Sequence, residues 1–326
     1  MCPALCTLAH VALVTPDVER SLWFFRDLLG LDEVARDERR VYLRCFGELD
    51  HHSLTLEEGP TGVDHIAFRT AAADDVREFQ RRFEAAGVEV TRLDRGEHEL
   101  GQGEAIRFVA PFVDAPLELL YDIDKPLAPA HLRSRLPTNS TRIKAGAPRR
   151  LDHINLATGA ALLPDAEQWI REQLGFKRRE YIETDDGRIS GSWLSVTSQA
   201  HDLALTIDVL GRSGRMNHVA FAMEGFADIA RMADVVAEHD VQVDLAPGRH
   251  GITQGFFYYV RDPGSGHRIE LYAGGYPIFD PDWTPVRWNE EDLAAFGLAF
   301  FGPRWTREDN PNAENTPCSP AVEAST

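Results

Sequence analysis

Apolar residues recur along this chain in two rhythms, and the rhythms follow one another in the same order four times. Each cycle opens on a stretch where apolar and polar residues alternate around a histidine, as strand residues do when one face is buried. These stretches are LAHVALVT from Leu8, VDHIAFRT from Val63, LDHINLAT from Leu151 and NHVAFAME from Asn217. Each then passes to helical spacing. The first helix is expected after Thr15 as N-cap, with Pro16 in the first turn and Val18, Leu22, Phe25 and Leu29 on one face before Gly30. The second shows Val76, Phe79, Phe83 and Ala86 and stops at Gly87. The third shows Trp169, Ile170 and Leu174 before Gly175, and the fourth shows Phe226, Ile229, Ala233 and Val236. Two or three further strands complete each cycle. No such helix can bury its stripe alone, so each is expected to lie on its own sheet in an α+β protein.

The repeats divide into tandem halves. Residues 1–121 hold the first two cycles and 150–302 the other two, the latter with an aromatic segment, FDPDWTPVRWNEEDLAAFGLAFFGPRW, expected to pack back on its half. The Pro-, Ser- and Thr-rich stretch over 122–149 reads as a linker. Residues 303–326 are polar with Pro and Asn, and disorder is expected there.

Composition then narrows the function. With 34 basic against 52 acidic residues, the net charge of -18 argues against a nucleic-acid or anionic-membrane partner. Cys2, Cys6, Cys45 and Cys318 form neither a CxxC pair nor a regular framework, which suits reduced thiols in the cytoplasm. No signal-peptide pattern or apolar run of membrane-spanning length is present.

Candidate chemistry gathers in GRHGITQGFFYYVRDPGSGHRIELY, from Gly248 to Tyr272. Glu270 stands between Ile269 and Leu271 on an expected strand, and a carboxylate buried there is costly unless something positive meets it. A metal would meet it. His153 and His218 sit in similar settings on two other strands, and two imidazoles with one carboxylate are the ligand set that holds Fe(II) while leaving positions for substrate and dioxygen. The set is repeated: His153, His201, His218, His250 and Glu270 follow the same order as His10, His52, His65, His98 and Glu118. His218 and Glu270 are 52 positions apart, His65 and Glu118 53.

The motifs LDHINL, SWLSVTSQAHD, NHVAF, PGRHG and YYVRDPGSGHRIELY, in this order and spacing, resemble those of type I extradiol ring-cleaving dioxygenases of the vicinal oxygen chelate superfamily, most of all the homoprotocatechuate 2,3- and catechol 2,3-dioxygenases. The resemblance runs from Leu8 to Trp288. It implies four βαβββ modules paired into two open, barrel-like domains, the first without catalytic function. It also implies Fe(II), with Mn(II) as the other possibility, held by His153, His218 and Glu270. His201 corresponds to an acid/base histidine near dioxygen, and His250 and Tyr259 to groups that bond the diol oxygens, with the choice between Tyr258 and Tyr259 left open by a turn one residue longer than the family's. Trp193 corresponds to a pocket wall.

The activity implied is cleavage of a catechol by dioxygen to a 2-hydroxymuconic semialdehyde-type product, and the assembly implied is a homo-oligomer, a tetramer by analogy. Where homoprotocatechuate enzymes carry arginines for the substrate's acetate group, this chain has Leu245 and Phe296, so the expected catechol is unsubstituted or carries a small uncharged group. The alternatives are a homoprotocatechuate enzyme, a hydroquinone-cleaving enzyme, a lyase or isomerase of the glyoxalase type, or a non-catalytic small-molecule binder. In the N-terminal half Arg107 stands at the position of Tyr259, and a buried cation there opposes metal loading, so that half is expected to be scaffold, with His10, His65 and Glu118 left open as a second ligand group.

Overall fold

The computed structural model describes residues 3–126, 146–296, 298–300 and 315–318, the side chains of 294–300 excepted. Most of the expected linker lies outside the described residues.

The four cycles fold as four βαβββ modules. The first comprises β1 (Leu5–Thr15), α1 (Val18–Leu22), a π-helical continuation (Trp23–Leu28), β2 (Asp32–Arg36), β3 (Arg40–Arg44) and β4 (Leu54–Glu58). The second comprises β5 (Gly62–Thr70), α2 (Ala73–Ala85), β6 (Thr91–Leu93), β7 (Ala105–Ala110) and β8 (Ala115–Leu120). The third comprises β9 (Arg150–Thr158), α3 (Leu163–Leu174), β10 (Lys177–Glu183), β11 (Ile189–Ser195) and β12 (Leu203–Ile207). The fourth comprises β13 (Arg215–Ala222), α4 (Phe226–Glu238), β14 (Val243–His250), β15 (Gly255–Arg261) and β16 (Arg268–Gly274). β17 (Val286–Trp288), α5 (Glu290–Phe296), β18 (Leu298–Phe300) and β19 (Thr316–Pro317) follow.

The modules pair through their first strands. β1 and β5 run antiparallel at the middle of one sheet, ordered β2-β3-β4-β1-β5-β8-β7-β6. β9 and β13 do the same in the other, ordered β17-β10-β11-β12-β9-β13-β16-β15-β14-β18, with β19 on β13. Among the described residues each sheet ends on an edge strand, so neither closes into a barrel.

The helices bury the expected stripes: Val76, Phe79 and Phe83 on α2, Ile170 and Leu174 on α3, Ile229 and Val236 on α4. Gly175 ends α3 at φ 79°, a conformation that favours glycine. The first helix departs from expectation at its cap. Thr15 belongs to β1 and binds the Ser21 hydroxyl, while Asp17 caps by accepting from the Arg20 amide at 2.9 Å. Trp169, partly buried, packs on Phe83 and Phe108 of the other half. One apolar core therefore runs through both halves.

Polar pins cross the same boundary. Ser21 Oγ donates to Asp262 Oδ2 at 2.6 Å, and buried His267 bonds the Val14 carbonyl at 3.2 Å. Within the segment expected to be a disordered tail, the structure describes residues 315–318. There Thr316–Pro317 pairs with Arg215–Met216, Asn315 bonds Asp208 and Asn217, and Cys318 is fully buried, so two amide contacts and one small apolar side chain anchor a stretch whose composition is polar. Among the described residues no helix is long and apolar enough to cross a membrane.

Candidate metal centre

Strand register brings the chemistry into one row. His153 of β9 is opposite Ala220 of β13, Ala220 is beside Glu270 of β16, Glu270 is opposite Tyr259 of β15, and Tyr259 is opposite Leu245 of β14. Residues in one row share a face of the sheet, and His218, two positions before Ala220, shares it too. Ala220 is small enough to leave space between His153 and Glu270.

That space is where the donors meet. His153 Nε2 is 2.8 Å from Glu270 Oε2, His218 Nε2 is 3.1 Å from the same oxygen, and the two imidazole nitrogens are 3.3 Å apart. All three side chains are buried. Glu270 Oε1 makes no hydrogen bond, which is costly for a buried carboxylate oxygen and suits a group meant for a cation. Two imidazoles and one carboxylate suit Fe(II) or Mn(II), and nothing in the donor set excludes either.

Two neighbours missing from the sequence reading orient the imidazoles. Asp152 Oδ1 accepts from His153 Nδ1 at 2.7 Å, and Asn217 Oδ1 from His218 Nδ1 at 2.7 Å, leaving each Nε2 lone pair facing the centre. An ordinary strand would send residue and neighbour to opposite faces. Here the β9–β13 ladder slips by one residue at Asp152 and again at Asn217, and these bulges let each neighbour reach back to its histidine. The adjacent Asp-His and Asn-His pairs were visible in sequence; the bulges that make them useful were not.

The charges follow from this packing. Burial alone would lower His153, but the hydrogen bonds to Asp152 and Glu270 override it and hold the imidazole up at about 9 before any cation is counted. Burial lowers His218 to about 4 despite Glu270. Burial would raise Glu270, yet the His218 and His153 charges hold its carboxyl well below the usual range. A cation at the centre replaces the proton that the imidazoles and Glu270 otherwise share.

The flanking groups close two sides. His201 lies against His153 with ring centroids 3.9 Å apart, and burial followed by the His153 charge lowers it far below an ordinary histidine. Its turn is braced by Asp202, which accepts from the Val196 and Thr197 amides at 2.7 and 2.9 Å. On the other side Tyr259 Oη is 3.0 Å from His250 Nε2, and His250 stacks on Phe257 at 4.2 Å. Of the two tyrosines left open by the sequence, it is therefore Tyr259 that meets His250, while Tyr258 packs in the core. Tyr272 was not singled out, although its ring stands edge-on to both His153 and His201.

The longer turn between Asp262 and Glu270 leaves Glu270 in register with Tyr259. Trp193 is half-buried on β11, and Leu245 half-buried opposite Tyr259. Phe296 ends α5, and its side chain lies outside the described residues. Arg249 is an exposed turn anchor that donates to the Gln254 carbonyl at 3.2 Å. In the N-terminal half His10 and His65 also converge, but the loop residue that reaches them is Glu99 rather than His98.

Comparison with known proteins agrees with this geometry. A family model described as the Glyoxalase/Bleomycin resistance protein/Dioxygenase superfamily matches residues 7–112 and 150–271. The manganese-dependent 2,3-dihydroxybiphenyl 1,2-dioxygenase of Geobacillus genomosp. 3 is 44% identical over 98% of this chain and 100% of its own length. A metapyrocatechase of Geobacillus stearothermophilus is 34% identical over 90% of this chain and 89% of its own. Among solved structures, homoprotocatechuate 2,3-dioxygenase from Arthrobacter globiformis superposes with a TM-score of 0.81 at 31% identity, covering 91% of this chain and 88% of that one. A buried two-histidine, one-carboxylate centre on this duplicated frame, with relatives of this kind over nearly the whole chain, makes the protein a member of the Glyoxalase/Bleomycin resistance protein/Dioxygenase superfamily and, within it, an extradiol dioxygenase.

Proposed function

We propose that the chain cleaves the ring of a catechol lacking a carboxylate, next to its diol, at a mononuclear Fe(II) or Mn(II) centre held by His153, His218 and Glu270. The convergence of those three buried donors, with His201 on one flank and the His250–Tyr259 pair on the other, carries the reading. The bound cation supplies a common site at which dioxygen and an aromatic diol, inert toward each other in water, can exchange electrons.

His201 is a neutral imidazole in the resting site, because burial opposes its protonation and a cation on the neighbouring His153 opposes it as well. It is suited to accept a proton released by the diol and to return it as the ring opens. Burial, then the Glu270 carboxylate, push the Tyr259 hydroxyl well above the ordinary range, so it remains a donor at working pH. Together with His250 it orients the diol and stabilises its charge.

The preference for an uncharged ring rests on what flanks this pair. Leu245 stands opposite Tyr259, and Arg268, whose guanidinium lies 5.7 Å from the Tyr259 ring centre, is already held by Asp244 and Asn217. A substrate carboxylate there loses water without gaining a partner. The curated relative named for 2,3-dihydroxybiphenyl supports an uncharged substrate, whereas the solved relatives are named for homoprotocatechuate. By likeness to the family, the reading extends to a homo-oligomer in the cytoplasm, where the free thiols of Cys6, Cys45 and Cys318 would persist.

Two measurements test it. Growth of semialdehyde absorbance is expected from catechol, 4-methylcatechol or 2,3-dihydroxybiphenyl with air, and faster than from 3,4-dihydroxyphenylacetate; a preference for the acid defeats the substrate reading. His201→Asn is expected to keep its metal and lose about 10²–10⁴-fold in kcat. Wild-type rates in that variant would remove the acid/base role.

A further inference from the structure

The N-terminal half repeats the row of the metal centre: His10 is opposite Ala67, Ala67 beside Glu118, Glu118 opposite Arg107, and Arg107 opposite Thr91. At the carboxylate the copy diverges. Both oxygens of Glu118 are taken, Oε2 by Arg107 through Nε at 3.1 Å and Nη2 at 2.7 Å, and Oε1 by the Gln102 amide. A carboxylate so occupied is a poor ligand, and the set His10, His65 and Glu118 is closed to a cation.

A different carboxylate has come into reach. Glu99, from the loop between β6 and β7, brings Oε2 to 3.0 Å from His10 Nε2, 3.2 Å from His52 Nε2 and 3.7 Å from His65 Nε2, while His10 and His65 face each other at 2.8 Å. All four side chains are essentially inaccessible, at 0%, 0%, 0% and 1% exposure. Donors bound to one tetrahedral zinc at ~2.0 Å lie ~3.3 Å apart; the His10, His52 and Glu99 donors all lie within 4.8 Å of one another, and His65 joins them at 2.8 Å from His10 and 3.7 Å from Glu99. In the catalytic set of the same chain the corresponding separations run from 2.8 to 3.3 Å.

We propose that His10, His52, His65 and Glu99 form a second, closed site for a divalent cation of the zinc type, which ties the β6–β7 loop to the sheet. Three nitrogens and one oxygen fill a tetrahedral set, so the site takes no substrate and is structural. The copy keeps the supporting features. The β1–β5 ladder slips at Asp64, just before His65, and Asp64 Oδ2 accepts from His65 Nδ1 at 2.9 Å, as Asn217 does for His218. It slips again at Ala9, where the catalytic half has Asp152; His10 Nδ1 therefore has no partner, and His10 is the least firmly oriented of the three. Arg107 does not repel the ion as its position alone suggests, because its charge is spent on Glu118 and on Asp64 at 3.4 Å.

The test counts metal in the full chain, produced in medium supplemented with zinc and manganese and desalted before elemental analysis. Two equivalents per chain are expected in the wild type. One is expected in Glu99→Gln with ring-cleavage turnover within about two-fold of wild type, and one in His218→Ala. A single wild-type equivalent that disappears in His218→Ala overturns the proposal, as do two equivalents retained in Glu99→Gln. Should Glu99→Gln not fold, wild-type protein produced with cobalt decides. The intense visible bands of four-coordinate Co(II) beside the weak ones of the catalytic centre support the site, and weak bands alone overturn it.

Discussion

Arg107 and Tyr259 occupy the same position of the duplicated frame, each in register with the buried strand carboxylate of its half, Arg107 with Glu118 and Tyr259 with Glu270. The side chain at that position decides the carboxylate's fate. The guanidinium forms a two-pronged pair with Glu118, whereas the phenol turns to His250 and leaves Glu270 Oε1 without a hydrogen bond.

Tyr259→Arg should therefore convert the catalytic centre into the state of its N-terminal counterpart. A guanidinium opposite Glu270 would take the ligand oxygen and add a positive charge beside a dication. Catalytic metal is expected to fall below about a tenth of an equivalent, with loss of turnover beyond about 10³-fold. Tyr259→Phe, which adds no charge, should keep its metal and lose only about 10–100-fold in kcat/KM. Elemental analysis beside steady-state rates separates the two, and full metal loading of Tyr259→Arg would contradict the account.

On the proposed ligand set, Asp152 would act on the metal through His153. Asp152→Ala removes the acceptor that holds His153 Nδ1–H at 2.7 Å, and with it the orientation and part of the basicity of the ligand. Metal affinity should drop about 10–100-fold. Competition with a chelator measures this, and unfolding midpoints of the metal-free chains show whether the sheet itself has changed.

Much of the fold was legible because four repeats of one apolar pattern each left a helix stripe with a single place to go. The three converging donors stood out for a related reason, since His153, His218 and Glu270 are polar residues in apolar strands. Features that depend on the partner strand were not. The slips at Asp152 and Asn217 arise between two strands and leave no mark in either alone. His98 and Glu99 are neighbours on a loop, where no periodicity indicates which of them turns inward; the spacing suggested His98, and the structure buries Glu99. Asn315 to Cys318 read as tail because the sequence could not show that Asp208 and Asn217 wait for an amide.

Leu245 offers the simplest change of specificity. It stands opposite Tyr259 and half-buried, so an arginine introduced there can keep its stem on the sheet and extend its charge toward the bound ring. Leu245→Arg should raise kcat/KM for 3,4-dihydroxyphenylacetate at least about ten-fold, the worth of roughly one charge-assisted hydrogen bond, while lowering it for 4-methylcatechol. Parallel rates on the two catechols measure the shift, and an unchanged ratio would remove Leu245 from the pocket.

His267 should make stability depend on pH in a window that can be stated in advance. It is buried between the halves, with Nε2 bonding the Val14 carbonyl and Nδ1 the Thr316 hydroxyl, and burial lowers it from 6.5 to about 4. The folded chain therefore keeps this imidazole neutral down to pH about 4, while the unfolded chain protonates it below 6.5. Between those values the unfolded state binds the extra proton, so this contribution to stability is fully present above pH 6.5, declines on acidification and is gone by about pH 4. The slope is at most about 1.4 kcal/mol per pH unit, on the order of 3 kcal/mol over the window. His267→Gln can still donate to Val14 but cannot titrate, so its stability curve should be flatter than wild type by up to one proton across this range. Chemical denaturation at half-unit steps from pH 4 to 7, with both chains metal-free, provides the comparison, because every other titration is shared and cancels. Parallel curves would mean that His267 is already charged in the folded protein, and the Val14 and Thr316 contacts would then have to be redrawn with both ring nitrogens donating.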